Sequence, residues 1–487
     1  MRRYQIRCLG KRAIVAAIML VCMVTGAVPS FAVSPVPSAK PVFTQIVAGR
    51  FYSTALRSDG TVWGWGRNLW SELGIQEQMV STSIAAPVRL SGLTDIVFIS
   101  TNGNGYQLAV KNDGNVWEWG NSLQDLKKGI LPRQVKPLSN MVRVAAGTKL
   151  GFGLRSDGTV WAWPRSKEPS AGGAAVTVQP VQISSLSNVR QLNASASATR
   201  DTLIVVKTDG STWTLTASLD AANHVGLATP VRLKDFPPLQ QCTNVGYGTA
   251  CIDSSGKVWL QLTTEGANPK PIPFHSELKV KSVSLDMFGK LLLLTQSGEV
   301  YSFDLFKSAD KGKKLRFATP IQAIAAGAYH ALALDTNGRI YGWGADNWYE
   351  TGGPATSPDH MVYAPMPVRQ DITVLSNGKL LSTIFPAILV GGSISVPLKD
   401  TLRSLGADYT VTNSNGMMVS TISYKGKPYV VQFQDSQVYL NGIATSVTLP
   451  ANFGSTSGVT MLQCAVLKQI GISCTWNSQT SVLTITG

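Results

Sequence analysis

The most regular feature of the chain is a hairpin pattern that recurs seven times between residues 56 and 341. Each copy has an apolar residue, a polar turn that ends in glycine, and a second run with an aromatic residue three places after that glycine. Apolar runs on both sides of a two-residue turn predict two antiparallel strands. The copies begin at Leu56, Val110, Leu154, Val206, Ile252, Leu294 and Leu334.

The turn residues fit the tight hairpins that this pattern predicts. Four copies carry Asp-Gly, as in Asp59-Gly60, one carries Asn-Gly and two carry Ser-Gly. Asp-Gly and Asn-Gly tolerate positive φ at both central positions, which a two-residue hairpin needs to follow the twist of its strands. We therefore interpret these aspartates as turn residues and not as catalytic groups.

Aromatic residues repeat in register with the turns, at the third and fifth positions after each turn glycine. Positions two apart share one face of a strand. Because nine of the twelve tryptophans occupy these two columns, we expect them to pack between neighbouring sheets and not to stack on a ligand. The third position holds Trp63, Trp117, Trp161, Trp213, Trp259, Tyr301 and Tyr341; the fifth holds Trp65, Trp119, Trp163, Leu215, Gln261, Phe303 and Trp343.

The spacing of the copies indicates the architecture. Seven copies about 40–54 residues apart suit a β-propeller with four-stranded blades, because one such blade cannot bury both faces of its sheet alone. We predict a mainly β chain with a seven-bladed propeller over residues 41–370. Glycines eleven residues before the turn glycine should mark the loop between two strands in four blades: Gly49, Gly103, Gly147 and Gly327. By analogy with other propellers, strands from both chain ends should share one blade.

The first and last copies share a longer motif. The first reads Val47-Ala48-Gly49, then residues 59–68 (DGTVWGWGRN) and Leu73-Gly74. The last reads AGAYHALAL over residues 326–334 and YGWG over residues 341–344. Both copies resemble repeats of the regulator of chromosome condensation family. The resemblance implies a seven-bladed propeller. Blades four to six depart from the pattern, because they lack the Trp-Gly pair after the turn and the glycine eleven residues before the turn glycine. Family members include nucleotide-exchange factors, chromatin binders and secreted bacterial binding scaffolds, one group of which inhibits β-lactamases.

Residues 371–487 form a second region with its own motifs. It contains Asn377-Gly378-Lys379, SVPLKDTL over residues 395–402, and a weaker second copy that ends at SVLTI over residues 481–485. These segments resemble the copper amine oxidase N-terminal-like domain that occurs on many exported Gram-positive proteins. The resemblance implies a small α+β domain of two half-repeats, with helices near Leu398–Leu405 and Met461–Ile470. This region contains no histidine, the usual copper ligand, so we predict neither copper nor oxidase activity.

The N-terminus has the pattern of a secretory signal peptide. Basic residues between Arg2 and Arg12 precede an apolar run from Ala13 to Val28, and Ser30-Phe31-Ala32 provides small residues at a cleavage site. We predict a signal peptide over residues 1–32, a Pro/Ser leader over 33–40 and an extracellular protein, either free or associated with the cell wall. The alternative is an uncleaved membrane anchor, for which the apolar run is short. No later stretch is apolar enough to span a membrane.

The charge balance indicates the class of partner. Cleavage would remove five basic and no acidic residues, which lowers the formal net charge from +15 to +10. An exported basic chain points to an acidic protein or an anionic wall polymer and not to nucleic acid. A merely soluble basic surface is the alternative, and a solvated loop is the corresponding interpretation of the basic run from Lys307 to Arg316.

Cysteines and histidines give no catalytic pattern. Four cysteines remain after cleavage, and the pairs Cys242/Cys251 and Cys464/Cys474 are candidate local disulfides, with buried free thiols as the alternative. Four histidines lie far apart, and His330 shares a repeat position with Tyr52 and Tyr106, which indicates packing. Because no metalloprotease, nucleophile-elbow or P-loop spacing occurs, we expect no enzyme activity, cofactor or metal.

The register of the repeats suggests where a partner would bind. Residues nine and ten before the turn glycine should lie in loops that surround one end of the propeller. Aromatic and arginine side chains are typical interface anchors, and ordinary loop packing is the alternative. The candidate partner-binding residues are Arg50, Phe51, Lys149, Arg200, Tyr247, Phe288 and Tyr329.

Three functions follow from these patterns. The first is an exported, monomeric recognition module for a protein or wall polymer, with the C-terminal domain as a spacer or surface attachment. The second is a secreted enzyme inhibitor of the β-lactamase-inhibitor propeller type. The third is an enzyme with an unrecognised site, which a bound metal or cofactor in the purified protein would support.

Overall fold

The structure is a computed structural model of the 487-residue chain. It describes residues 41–487 except for 70, 76–82, 122–128, 166–175, 197–199, 221, 246–247, 263–269, 287, 308–310, 353–358, 370–371, 382–386, 391–392, 415–416, 435–436, 449–460 and 479–481. The predicted signal peptide and leader therefore lie outside the described residues.

Between residues 43 and 367 the described strands form seven mostly antiparallel sheets, which we number in chain order. Sheet 1 contains β1 (Phe43–Ala48), β2 (Tyr52–Arg57), β3 (Val62–Arg67) and β4 (Ser83–Arg89). Sheet 2 contains β5 (Ile96–Thr101), β6 (Tyr106–Lys111), β7 (Val116–Asn121) and β8 (Gly129–Lys136). Sheet 3 contains β9 (Met141–Ala146), β10 (Leu150–Arg155), β11 (Val160–Pro164) and β13 (Val181–Gln182), while β12 (Val176–Thr177) pairs with β8.

The remaining four sheets follow the same order. Sheet 4 contains β14 (Val189–Ala196), β15 (Asp201–Lys207), β16 (Thr212–Leu219), β17 (Val225–Leu227) and β18 (Val231–Arg232). Sheet 5 contains β19 (Leu239–Val245), β20 (Gly248–Asp253), β21 (Val258–Leu262) and β22 (Ile272–Phe274). Sheet 6 contains β23 (Val280–Leu285), β24 (Lys290–Thr295), β25 (Val300–Asp304) and β26 (Lys313–Leu315). Sheet 7 contains β27 (Ile321–Ala326), β28 (His330–Asp335), β29 (Ile340–Ala345) and β30 (Met361–Pro367).

The predicted turns join the second and third strands of each sheet, and the turn glycine also faces the next sheet. Gly60 has a φ of +75°, and a Cβ there would lie 2.7 Å from the Cα of Asp95 at the start of sheet 2. Its carbonyl accepts a hydrogen bond from Ile96 N at 3.0 Å. The turn carbonyls of sheets 2 to 6 accept the equivalent bond from the following sheet. The glycine therefore serves both the hairpin and the packing of neighbouring sheets.

The two aromatic columns occupy different environments. In the fifth-position column, Trp65, Trp119 and Trp163 are fully buried between sheets, which confirms their predicted packing role. The third-position column is mostly half-buried, and several of its rings lie beneath a cation. Arg155 Cζ lies 4.1 Å from the ring centroid of Trp161, for example. The aromatic side chains of both columns therefore make contacts within the propeller, as the repeat pattern predicted.

Seven clusters of buried apolar side chains lie between successive sheets, and one of them joins sheet 7 to sheet 1. That cluster includes Ile46 and Trp65 from sheet 1 and Leu332 from sheet 7. The prediction that strands from both chain ends share a blade is wrong. Among the described residues, sheets 1 and 7 each consist of consecutive strands, and the ring closes through side-chain packing instead. The mainly β propeller fold is confirmed.

The C-terminal region has its own core and, in its described part, two short helices. Its strands are β31 (Thr373–Ser376), β32 (Lys379–Leu380), β33 (Ile388–Val390), β34 (Ser393–Pro397), β35 (Asp408–Ser414), β36 (Met417–Tyr424), β37 (Lys427–Gln434), β38 (Gln437–Leu440), β39 (Ile443–Thr448), β40 (Met461–Gln463), β41 (Ser473–Asn477) and β42 (Val482–Thr486). The helices α1 (Leu398–Ser404) and α2 (Cys464–Gln469) lie where the resemblance predicted them and bury Leu402 and Leu467 in one core. β31 pairs in parallel with β42 and so joins the two ends of this region.

Candidate functional site on the loop face

The propeller has two chemically different ends. The loops between first and second strands lie beside the loops that follow the third strands, because Arg67 N donates to Phe51 O at 2.8 Å and Ala345 N donates to Tyr329 O at 2.9 Å. We call this end the loop face. The opposite end carries the seven glycine turns, and we call it the turn face.

Three predicted partner-binding aromatics meet on the loop face. The rings of Phe51 and Tyr329 stack with centroids 5.1 Å apart, and Phe288 lies 4.9 Å from Tyr329 on the other side. These residues come from sheets 1, 7 and 6, which are neighbours because the ring closes between sheets 7 and 1. Phe288 is 46% exposed and Tyr329 is 37% exposed. With Arg50 they form a surface that we call the rim patch.

Two arginines flank the aromatic stack, but they are in different electrostatic states. Arg67 Cζ lies 4.4 Å from the Phe51 ring centroid, and its Nε donates to Glu72 Oε1 at 2.6 Å. Arg50 is exposed, and its Cζ lies 5.2 Å from Phe51 and 5.9 Å from Tyr329. Among the described residues Arg50 has no carboxylate partner. The rim patch therefore offers an exposed cation beside exposed aromatic surface.

The other candidate residues do not join this patch. Lys149 is half-buried on sheet 3, where its backbone N donates to Asp201. Arg200 is exposed and directly precedes β15, the second strand of sheet 4. Both lie elsewhere around the mouth of the ring, and Tyr247 lies outside the described residues.

Two buried carboxylates that sequence reasoning missed, Asp201 and Asp286, hold loops on the loop face. Asp201 accepts hydrogen bonds from the backbone N atoms of Thr148, Lys149 and Leu150 at 2.6–2.9 Å, and so links sheet 4 to sheet 3. Burial raises the pKa of Asp201 despite these bonds. The available signal was the position of Asp201 as the first residue of a second strand, β15.

Asp286 holds the loop that presents Phe288. Its Oδ1 accepts hydrogen bonds from Phe288 N and Lys290 N, both at 2.8 Å. Burial raises the pKa of Asp286 to about 6. A carboxylate that binds the backbone on both sides of Phe288 restricts this loop, so Phe288 is presented from a defined position.

A serine and a histidine meet behind the patch, but they are structural. Ser53 Oγ lies 2.8 Å from His330 Nε2 and donates to the Glu350 backbone O at 2.8 Å. Both side chains are buried, and burial lowers the pKa of His330 to about 3. An inaccessible neutral imidazole packed between sheets 7 and 1 confirms the predicted packing role of His330.

The cysteine pairs differ. Cys242 and Cys251 are direct partners on β19 and β20 and form a disulfide in sheet 5. Cys464 and Cys474 are free thiols in the C-terminal core, the alternative that the sequence left open.

Metal sites and membrane-spanning helices are both absent from the described residues. No group of three or more His, Cys, Asp or Glu side chains there is placed to hold a metal ion. None of the helices in that part of the chain is long and apolar enough to cross a membrane.

Family models match both regions of the chain. Residues 43–69 and 321–347 match the regulator of chromosome condensation (RCC1) repeat, and residues 375–485 match the copper amine oxidase N-terminal domain. The chain carries RCC1 repeats followed by a copper amine oxidase N-terminal domain. The two matched RCC1 repeats include Arg50, Phe51 and Tyr329 of the rim patch. Residues 371–487 contain no histidine, so this domain lacks the imidazole ligands that copper usually has in proteins.

Known proteins share parts of the RCC1 region. The mitochondrial RCC1 domain-containing protein RUG3 of Arabidopsis thaliana is 37% identical over 102 residues, 20% of this chain and 21% of that protein. The human E3 ubiquitin-protein ligase HERC2 is 25% identical over 192 residues, 37% of this chain and 4% of the ligase. The chain thus spans less than a quarter of these relatives. The crystal structure of human WBSCR16 matches this chain with a TM-score of 0.46 and 16% sequence identity. The match covers 60% of this chain and 86% of WBSCR16.

Proposed function

We propose that this chain is an exported, non-catalytic binding protein whose rim patch holds an acidic protein partner. The observation that supports the proposal is the Phe51–Tyr329–Phe288 stack, in which Phe288 and Tyr329 are exposed. Arg50 lies beside this stack and has no carboxylate partner among the described residues. Aromatic and arginine residues dominate the binding energy of protein interfaces. An RCC1-repeat propeller is consistent with a binding role.

The chemistry of the patch favours a protein over an anionic polymer. Charge alone would suffice for a polymer, whereas three aromatic rings held in contact add apolar area that a protein side chain can cover. Arg50 would pair with a carboxylate of the partner, and the rings would pack against an adjacent apolar residue.

We expect the triple variant Arg50→Glu/Phe288→Ala/Tyr329→Ala to bind its partner at least about 100-fold more weakly, because hot-spot residues each contribute about 2 kcal/mol or more. Phe51 is left unchanged because it packs beneath Arg67. The partner would be captured by crosslinking from the native secretome and cell surface, and its affinity measured with purified components.

The matched control is Arg339→Glu/Tyr363→Ala, which removes an exposed arginine near the turn face and a 67% exposed tyrosine of β30. It should keep the wild-type affinity. A partner that binds both variants equally would contradict the proposal, as would capture of an anionic polysaccharide and no protein.

Export is the second part of the proposal. Signal peptidase cleavage after Ala32 should release a chain that begins at Val33. Mass spectrometry of the N-terminus of the extracellular protein tests this expectation. A chain that keeps residues 1–32 and stays with the cells would show that the segment is an anchor or is not a signal.

A further inference from the structure

A cavity of about 740 Å³ runs along the axis of the ring. Its lining comes from the first strand of every sheet, from β1 through β27. This volume lies within the range of about 300–1,000 Å³ that small-molecule sites occupy. We call it the channel, and it is separate from the aromatic rings of the rim patch.

One layer of residues crosses all seven first strands at the same height. Each member pairs with the residue six places before the turn glycine of its own sheet, as Val47 pairs with Thr54 and Ser100 with Leu108. Three members are small and apolar, and four are polar. The layer consists of Val47, Ser100, Ala145, Asn193, Thr243, Ser284 and Ala325.

The hydroxyl groups of this layer are already used as acceptors. Ser284 Oγ accepts from Ala326 N at 2.9 Å, and Ser100 Oγ accepts from Ala146 N at 3.3 Å. Thr243 Oγ1 accepts from Asn193 Nδ2 at 3.3 Å. A hydroxyl has one proton to donate, and among the described residues these three hydroxyls donate no hydrogen bond. The polar wall of the channel therefore presents O–H donors.

Cations strengthen this donor character at both ends. Arg50 lines the loop-face mouth together with Asp286, and Arg143 lines the channel toward the turn face. Arg143 is exposed, its Cζ lies 4.7 Å from the Phe98 ring centroid, and its Nη1 donates only to the Val142 backbone O among the described residues. Guanidinium groups form strong hydrogen bonds with carboxylates.

We propose that the channel binds a carboxylate-bearing ligand, with the carboxylate on Arg143 and further oxygen atoms on the hydroxyls of Ser100, Thr243 and Ser284. The small apolar side chains on sheets 1, 3 and 7 leave room for the carbon skeleton. Acidic peptides and sugar acids both supply this chemistry, and the probes separate them. The probes are a penta-glutamate peptide and tri-galacturonate, each with its neutral amide as a control.

The key variant is Arg143→Gln, because the same register holds Gln45, Gln191 and Gln241 on other sheets and the fold therefore accepts glutamine there. Calorimetry should show saturable binding of one acidic probe and an affinity about 10- to 100-fold lower in Arg143→Gln, the range expected for a charge-assisted hydrogen bond. Ser284→Ala should weaken binding about threefold to tenfold.

Two further comparisons decide the proposal. Arg339→Gln, the same change near the turn face, and Phe288→Ala/Tyr329→Ala in the rim patch should both leave probe affinity unchanged, which separates this site from the proposed protein interface. Binding of neither acidic probe at millimolar concentration, equal binding of the neutral amides, or full affinity in Arg143→Gln would each overturn the proposal.

Discussion

Glu118→Met is expected to lower the unfolding free energy of the propeller by about 3–5 kcal/mol, the usual effect of removing one partner from a buried ion pair. Glu118 and Arg133 are cross-strand partners on β7 and β8, both fully buried, and Glu118 Oε1 lies 2.9 Å from Arg133 Nη2. Glu118 Oε2 also accepts a hydrogen bond from Tyr106 Oη at 2.9 Å. Methionine fills a similar volume but leaves the guanidinium and the phenol without their acceptor.

The double variant Glu118→Met/Arg133→Met is the control for this prediction. Replacing a whole buried ion pair by apolar side chains is often neutral, so the double variant should recover most of the loss. Urea unfolding followed by tryptophan fluorescence measures the effect, because eleven of the twelve tryptophans precede residue 370. The single variant Arg133→Met completes the cycle. If the double variant loses as much stability as Glu118→Met and Arg133→Met together, the two side chains are not coupled.

The strand order within each sheet was predictable because it depends on local chemistry. A two-residue turn with glycine at positive φ fixes the hairpin on both sides, so each turn placed its second and third strands. The offset from Gly60 and Gly338 likewise placed Arg50, Phe51 and Tyr329 in loops at one end. Local spacing was therefore enough to predict which strands and loops belong to each sheet.

Contacts between sheets were not predictable in the same way. The stack of Phe51, Tyr329 and Phe288 exists because sheets 6, 7 and 1 become neighbours, which is a property of ring closure and not of any repeat. The predicted shared blade was wrong for a related reason. The buried contact of Trp65 and Ile46 with Leu332 closes the ring without a strand exchange, and no local pattern distinguishes the two arrangements.

The channel layer shows a third limit of sequence reasoning. Ser100, Asn193, Thr243 and Ser284 resemble ordinary strand polar residues until the turn register aligns them. Their side chains then join adjacent first strands, as Asn193 joins Thr243. Adjacent first strands belong to different sheets, so side chains supply the polar contacts between them. Repeat alignment locates such a layer, but its hydrogen bonds require coordinates.

Glu350→Gln gives the second large effect on stability, and the size of this effect depends on pH. It occupies the position that Glu72 has in sheet 1, but Ala345 replaces the equivalent of Arg67, which pairs with Glu72 at 2.6 Å. Glu350 is fully buried, Trp348 N donates to its Oε2 at 2.7 Å, and Oε1 has no partner among the described residues. Burial, with a smaller contribution from Asp346, raises the pKa of Glu350 to about 8.

The raised pKa means that the folded protein keeps a proton between about pH 4.5 and pH 8 that the unfolded chain releases. The contribution of Glu350 to the free energy of unfolding is fully present below about pH 4.5 and is lost as the pH rises to about 8. Glu350→Gln keeps the acceptor for Trp348 N but cannot ionise. We expect the variant to match wild type within about 1 kcal/mol at pH 5 and to exceed it by about 2–4 kcal/mol at pH 9. Urea unfolding at both pH values measures the difference.

Glu72→Gln is the matched control and should destabilise the protein at both pH values, because it weakens the acceptor for Arg67. A difference between Glu350→Gln and wild type that does not change with pH would show that Glu350 is already ionised in the folded ring.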